Sequence, residues 1–282
     1  MDILVIGGSR YFGRLLVDRL LASGARVTLL NRGSAPPPPG VEHLLADRDD
    51  EAALVAALAG RTFDVVVDQV CYTPRQAEIA RRVITTGRYV MTSTIEVYDR
   101  ATAAAPLPES AFDAATWPVD PALPWDDPAF REAHYAEGKR QAEAVFAREP
   151  AAPFVAVRTG HVVGGADFTG RLAHYTDRAR AGEPVVVHPA AQPSSFTHPQ
   201  EIADFLYFAA TGDFTGPVNV RSHGEFSAAD LCARLGVAHR GPEPGEEASP
   251  FSFDRYYGMS NARGTELGFA FSDTANWLPG VL

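Results

Sequence analysis

The chain has 282 residues, 46% of them hydrophobic and 21% charged, with a formal net charge of −10. Those values describe a globular protein of one large domain with room for a small lobe, and the acidic balance excludes a general electrostatic grip on nucleic acid. Two cysteines, Cys71 and Cys232, are too few for a disulfide framework, no apolar run reaches membrane-spanning length, and residue 3 already belongs to a strand pattern, so a cytoplasmic protein is expected.

Residues 3–6 read as a hydrophobic strand that runs straight into Gly7, Gly8, Ser9, Arg10, Tyr11, Phe12 and Gly13, with a helix pattern following over 14–22. Glycines let the backbone bend tightly and approach a pyrophosphate, whose charge then meets the free N–H groups of the helix start. A lone glycine pattern is weak, but this one sits between a strand and a helix at the head of a βαβ unit. Further strands are expected at 26–30, 43–45, 65–70, 89–92 and 154–158, and helices at 51–58 and 75–84. That alternation predicts an α/β fold with a doubly wound parallel sheet covered on both faces. The four prolines 36–39 can be neither helix nor central strand and read as a stiff surface loop.

From 100 to 131 periodicity is lost, and Trp117, Trp125 and the acidic pair Asp126-Asp127 favour a packed loop over disorder. One long helix is expected over 128–148. Later come a helix at 171–181, a strand at 184–187, a helix at 199–210, a strand near 218–220 and a helix at 227–235. The domain reading is a dinucleotide-binding unit over 1–160, completed by about 190–222, with 161–189 and 223–282 forming a smaller substrate-binding lobe.

Tyr135 and Lys139 are four apart, hence on one face of the long helix. A phenol titrates near pH 10 on its own, and a neighbouring ammonium favours the phenolate, so such a pair can pass a proton to or from a substrate oxygen. Taken alone the pair is a solvated helix face. Following a dinucleotide turn and a strand that ends in Thr92-Ser93-Thr94, it reads as a site. The eight histidines show no metal spacing, so no metal is expected.

Gly7–Gly13, Asp47-Arg48, Thr92-Ser93-Thr94-Ile95-Glu96-Val97-Tyr98, Tyr135/Lys139 and Arg158-Thr-Gly-His-Val-Val-Gly164 together resemble the extended short-chain dehydrogenase/reductase superfamily, within it the NAD-dependent epimerase/dehydratase-like group that includes chloroplast stem-loop-binding proteins. The resemblance covers nearly the whole chain. It implies a Rossmann-type fold, Tyr135 as acid/base, Lys139 on the nicotinamide ribose and Thr94 orienting the substrate oxygen, with Ser93 as the fallback hydroxyl. It also carries Asp47, Arg48, Val70 and His161 into the cofactor site, Asp47 at the adenine amino group and His161 at the nicotinamide pocket, and implies a homodimer.

Two departures bear on chemistry. Arg10 replaces the usual middle glycine, and the second strand ends in Asn31-Arg32 instead of a carboxylate. Arginine matches a ribose 2′-phosphate, so NADP is favoured over NAD, the alternative being that both arginines are surface cations. Glu96 is retained from the dehydratase pattern, but Ile95 occupies the position of its partner acid, which argues against a full dehydratase; Glu96 is either an auxiliary acid/base or a loop carboxylate. The reading is an NAD(P)-dependent oxidoreductase acting on a small-molecule C–OH/C=O carbon. An epimerase with a retained cofactor is the first alternative, and a non-catalytic nucleotide- or RNA-binding relative the second.

Overall fold

The structure, a computed structural model, describes all 282 residues and divides into two compact units. The first comprises Met1–Val97, Phe112–Thr159 and Ala203–Val218; the second comprises Tyr98–Ala111, Gly160–Ile202 and Asn219–Leu282.

The first unit is built on a sheet of β1 (Asp2–Ile6), β2 (Arg26–Asn31), β3 (Glu42–Leu45), β4 (Val65–Asp68), β5 (Tyr89–Thr94), β6 (Phe154–Thr159) and β7 (Gly216–Val220). Their order across the sheet is β7-β6-β5-β4-β1-β2-β3, so the winding reverses between β1 and β4. Pairing is parallel, with Ile3 opposite Val27 on one side and Val65 on the other. All residues of β4, β5 and β6 are buried, which is why they read as near-continuous apolar runs.

On one face Leu4, Ile6, Leu30, Val66, Met91 and Ala156 pack against α2 (Glu51–Leu58), α3 (Pro74–Val83) and the later helix carrying Ala142, Val145 and Phe146. The alternate residues Ile3, Val5, Leu29 and Val67 are equally buried and, with a period of two, belong to the other face. α1 (Tyr11–Ala22) lies beside the middle of α7 (Pro199–Thr211), where Arg19 meets Asp204 at 2.9 Å and stacks on Tyr207. Asp50 and Thr73 cap α2 and α3 by accepting the N–H groups of Ala53 and Gln76, and Pro74 fills the first turn of α3.

The helix expected over 128–148 is two helices, α4 (Pro128–Ala133) and α5 (Tyr135–Arg148). His134 breaks them apart at φ −115°, ψ 28°; its ring stacks on Phe130 at 4.0 Å and Nδ1 meets the Phe130 carbonyl at 2.9 Å. The aperiodic stretch before α4 is largely exposed but anchored at several points. Trp117 Nε1 donates to Glu137, the Asp120 N–H donates to Gln141, and buried Trp125 donates to the Asp120 carbonyl.

The second unit has its own core of Val163, Tyr175, Val185, Phe196, Phe226, Leu231, Phe251 and Leu278, with Phe196 and Phe226 stacked at 3.7 Å. Its strands are two-residue parallel pairs, His161–Val162 with Phe196–Thr197 and Val185–Val186 with His239–Arg240. Around them lie α6 (Ala173–Ala181), closed by Gly182 at φ +68°, and α8 (Ala228–Leu235), opened by a Ser227/Asp230 capping box. No helix is long and apolar enough to cross a membrane.

Candidate active site

The glycine turn lies at the point where the sheet reverses direction, the place where open α/β sheets take ligands. Gly7 and Gly8 adopt φ +96° and +81°, and a Cβ on Gly8 would sit 2.9 Å from Val5 Cγ1. Gly13 is tighter: its Cβ would lie 2.3 Å from Gln69 Oε1 and 2.8 Å from the Gly8 Cα. The backbone therefore folds closer than any side chain permits. Arg10 precedes α1 in extended conformation without a side-chain cap, and the first turn of α1 carries no acidic residue, so its N–H groups suit an anion. Phe12, half-buried, packs its ring 5.4 Å from Tyr11 within that turn.

At the end of β2, Asn31 donates to Ser9 Oγ at 2.8 Å, accepts from the Gly33 N–H at 2.7 Å and meets His43 Nε2 at 3.0 Å. The amide thus ties the glycine turn to the next loop. Arg10 Nη2 donates to the Ser34 carbonyl at 3.0 Å, placing its guanidinium on the loop that carries exposed Arg32.

Asp47 Oδ1 accepts from the Asp49 N–H at 3.0 Å. The Arg48 side chain turns inward, donating to both oxygens of Asp68 at 2.6 and 2.8 Å and to the Gln76 carbonyl at 3.3 Å. Burial works against the guanidinium charge, but Asp68 more than offsets it and holds the proton more tightly than in water. Asp68, itself fully buried, also accepts from the Tyr89 hydroxyl at 2.6 Å and the Val70 N–H at 3.0 Å. Val70 Cγ1 lies 3.1 Å from where a Gly7 Cβ would be, so it forms the floor of the turn. Beside it, burial pushes the Cys71 thiol up to about 12, which keeps it protonated and unreactive.

Lys139 is 1% exposed and donates from Nζ to the Thr92 carbonyl at 2.8 Å; burial pushes its ammonium down to about 8. Tyr135 is the first residue of α5 and 37% exposed, with Lys139 Nζ 6.0 Å from its ring. Thr94 Oγ1 accepts from the Glu96 N–H at 3.2 Å, while the Ser93 hydroxyl donates to buried Glu143. Glu96 sits in a single 3₁₀ turn, Ile95–Val97, whose carbonyls at Glu96 and Val97 accept from Arg140 at 3.3 and 2.7 Å.

His161 belongs to the second unit, where its ring packs among Phe196, Phe251, Phe253 and Tyr257. Burial, aided by the Arg171 and Arg100 cations, pushes it down to about 3, so it is a neutral imidazole near neutral pH. No three His, Cys, Asp or Glu side chains gather around a common point.

Sequence reasoning missed Asp68, Gln69, Tyr72 and Glu143. A carboxylate closing an apolar strand, as Asp68 does in Val-Val-Val-Asp, was the one available signal. The residues present fit a dinucleotide: beside the glycine turn and β5, Gln69 Nε2 and Thr92 Oγ1 are buried without a hydrogen-bond partner.

A parallel sheet with a glycine turn at its reversal and a Tyr/Lys helix against its fifth strand defines a Rossmann-type protein of the extended short-chain dehydrogenase/reductase kind. The chain belongs to the NAD-dependent epimerase/dehydratase family, whose model matches residues 3–220. It is 26% identical over 221 residues to the chloroplast stem-loop binding protein of 41 kDa b of Arabidopsis thaliana, a match over 71% of this chain that spans about half (53%) of that relative's length. Its fold is similar to a UDP-glucose 4-epimerase solved with UDP-glucose from Thermotoga maritima (TM-score 0.71, 17% identity, 96% of this chain and 94% of that one). A Bordetella bronchiseptica enzyme, WbmG, solved with NAD and UDP, is similar to the same degree (TM-score 0.71, 18% identity, 96% and 88%).

Proposed function

We propose that this protein is an NAD(P)-dependent oxidoreductase that moves hydride at a C–OH/C=O carbon of a small molecule. The observation that carries the reading is the buried Lys139 ammonium beside Tyr135 on one helix, anchored to β5 two residues before Thr94. A nicotinamide dinucleotide supplies the hydride acceptor or donor. The residues from Gly7 to Gly13, floored by Val70, would hold its pyrophosphate, Lys139 its nicotinamide ribose, and Asp47 would meet the adenine amino group. In the oxidative direction the substrate hydroxyl would give its proton to Tyr135 as the phenolate, which becomes the neutral phenol, while its carbon gives up hydride. In the reductive direction Tyr135 returns the proton to the oxygen, and the Thr94 hydroxyl orients that oxygen by a hydrogen bond.

Arg10 and Arg32 favour NADP(H), since a 2′-phosphate at the β2 loop would meet two exposed guanidinium groups instead of a carboxylate. The family and the epimerases of like fold support a second reading, an epimerase that oxidises and re-reduces its substrate on one retained cofactor. The net charge of −10 speaks against a nucleic-acid-binding role such as the stem-loop binding for which the chloroplast relative is named. A cytoplasmic homodimer completes the proposal.

The test is to denature freshly purified protein, identify any released nucleotide, and titrate the four nicotinamide forms. Reversible binding of NADPH well above NADH supports the reductase; tightly retained NAD⁺ supports the epimerase and overturns the role of Arg10 and Arg32. Failure of all four to bind overturns the enzyme reading.

A further inference from the structure

Tyr72 lies between β4 and α3, in a segment that the sequence marks only by the Thr73-Pro74 start of a helix. Its N–H donates to Gln76 Oε1 at 2.8 Å, and Gln76 in turn donates from Nε2 to Asp49 at 2.8 Å. On its other side the Tyr72 carbonyl rests directly on α5. A Cβ at position 138 would sit 2.3 Å from that oxygen, so Gly138 is what allows the loop and the helix to touch. The backbone is thus gripped from two elements. The ring that it carries lies 4.6 Å from Lys139 Nζ and 6.1 Å from the Tyr135 ring, at 48° to it.

We propose that Tyr72 is a positioning residue whose aromatic face holds the Lys139 ammonium beside Tyr135 at the head of α5. The inference rests on the reading of Tyr135 and Lys139 given above. An aromatic face attracts a cation without accepting one of its N–H bonds, so Tyr72 steadies the ammonium while leaving donors for the ribose. What matters is the ring. The phenol oxygen has no part in this role, which separates Tyr72 from a second acid/base.

The experiment compares NADH and NADPH affinities, read by nucleotide fluorescence, in the full chain and in Tyr72→Phe, Tyr72→Leu, Lys139→Met and the Leu/Met double variant. Tyr72→Phe is expected to bind within about twofold of the parent and Tyr72→Leu about tenfold more weakly. In the Lys139→Met background the Leu change should cost less than about twofold, because the cation it serves is gone. Melting temperatures report whether each variant folds, and Tyr72→Met replaces Tyr72→Leu if the latter does not. Equal binding by Tyr72→Leu and the parent overturns the proposal, as does the same loss with and without Lys139, which is the mark of a merely structural side chain. If the parent protein binds neither nucleotide, the dinucleotide reading itself fails, and this inference falls with it.

Discussion

Ser93 and Thr94 are adjacent in β5 yet serve opposite faces of the sheet: the Ser93 hydroxyl donates to buried Glu143, whereas Thr94 Oγ1 accepts the Glu96 N–H at 3.2 Å and keeps its own proton for donation. The family resemblance implies Thr94 for the substrate oxygen with Ser93 as the fallback, and the hydrogen bonds favour the same order. Thr94→Ala is expected to lower kcat about 100-fold with little change in melting temperature. Ser93→Ala should instead cost about 1 kcal/mol of stability and leave kcat within a few-fold. Steady-state rates and urea unfolding on both variants check this; the reverse pattern would assign the hydroxyl to Ser93.

Tyr135→Phe keeps the ring beside Tyr72 but removes the only phenol on the Lys139 face of α5. Loss of a positioned acid/base lowers kcat by about 100- to 10,000-fold. Nucleotide affinity should change less than about twofold, since on the proposed reading the ribose contact would be made by Lys139. A variant that retains most of its turnover would move the proton transfer elsewhere.

Glu143 and Arg158 pair across the interior, 1% and 0% exposed, with Arg158 Nη2 2.7 Å from Glu143 Oε2 and Nε 3.1 Å from both carboxylate oxygens. Removing one charge strands the other in a dry environment. Glu143→Gln is expected to cost about 3–5 kcal/mol of unfolding free energy, and Glu143→Leu with Arg158→Met together less than either alone. Equilibrium denaturation measures both, and an additive double variant would contradict the pairing.

Gly13→Ala forces a methyl group to within 2.3 Å of Gln69 and 2.8 Å of the Gly8 backbone. The helix gains propensity, but the turn must open. Nicotinamide affinity should fall more than about tenfold, while Gly280→Ala, with nothing within 4 Å, stays within about 0.5 kcal/mol of the parent in stability. Isothermal titration and thermal unfolding give the two readouts.

His161 makes acid stability predictable. The folded imidazole takes up its proton only near pH 3, the unfolded one near 6.5, so between those values the unfolded chain holds the extra proton. Stability therefore rises with pH across that window, and on acidification from 6.5 it is lost by up to about 1.4 kcal/mol per pH unit from this side chain. His161→Phe fits the surrounding Phe196, Phe251 and Phe253 and should remove one proton's share of the slope. Urea unfolding at pH 7, 6 and 5 tests it; an unchanged slope would place the proton uptake on another group.

The parallel sheet and its glycine turn were legible because strands buried on both faces must be apolar runs and because a tight approach to an anion demands glycine. The break at His134 was not. No proline or glycine marks it, and it depends on the imidazole folding back onto Phe130, four residues away. The resemblance implies Arg48 in the cofactor site, and what the sequence does not show is that its side chain also meets Asp68, twenty residues on, which becomes a neighbour only once β4 joins the sheet. Asn31 likewise stood at the ribose edge by position, while its amide is engaged by Ser9, Gly33 and His43. Side-chain partners far apart in sequence leave no period to read.

The proline run 36–39 follows directly on the loop that carries Arg32 and Ser34, with Pro38 buried and the other three exposed. Each ring removes a backbone rotation, so residues 36–39 sample few shapes. An anion settling against this stretch would therefore cost residues 36–39 little motional freedom, because their backbone is restricted before any contact is made.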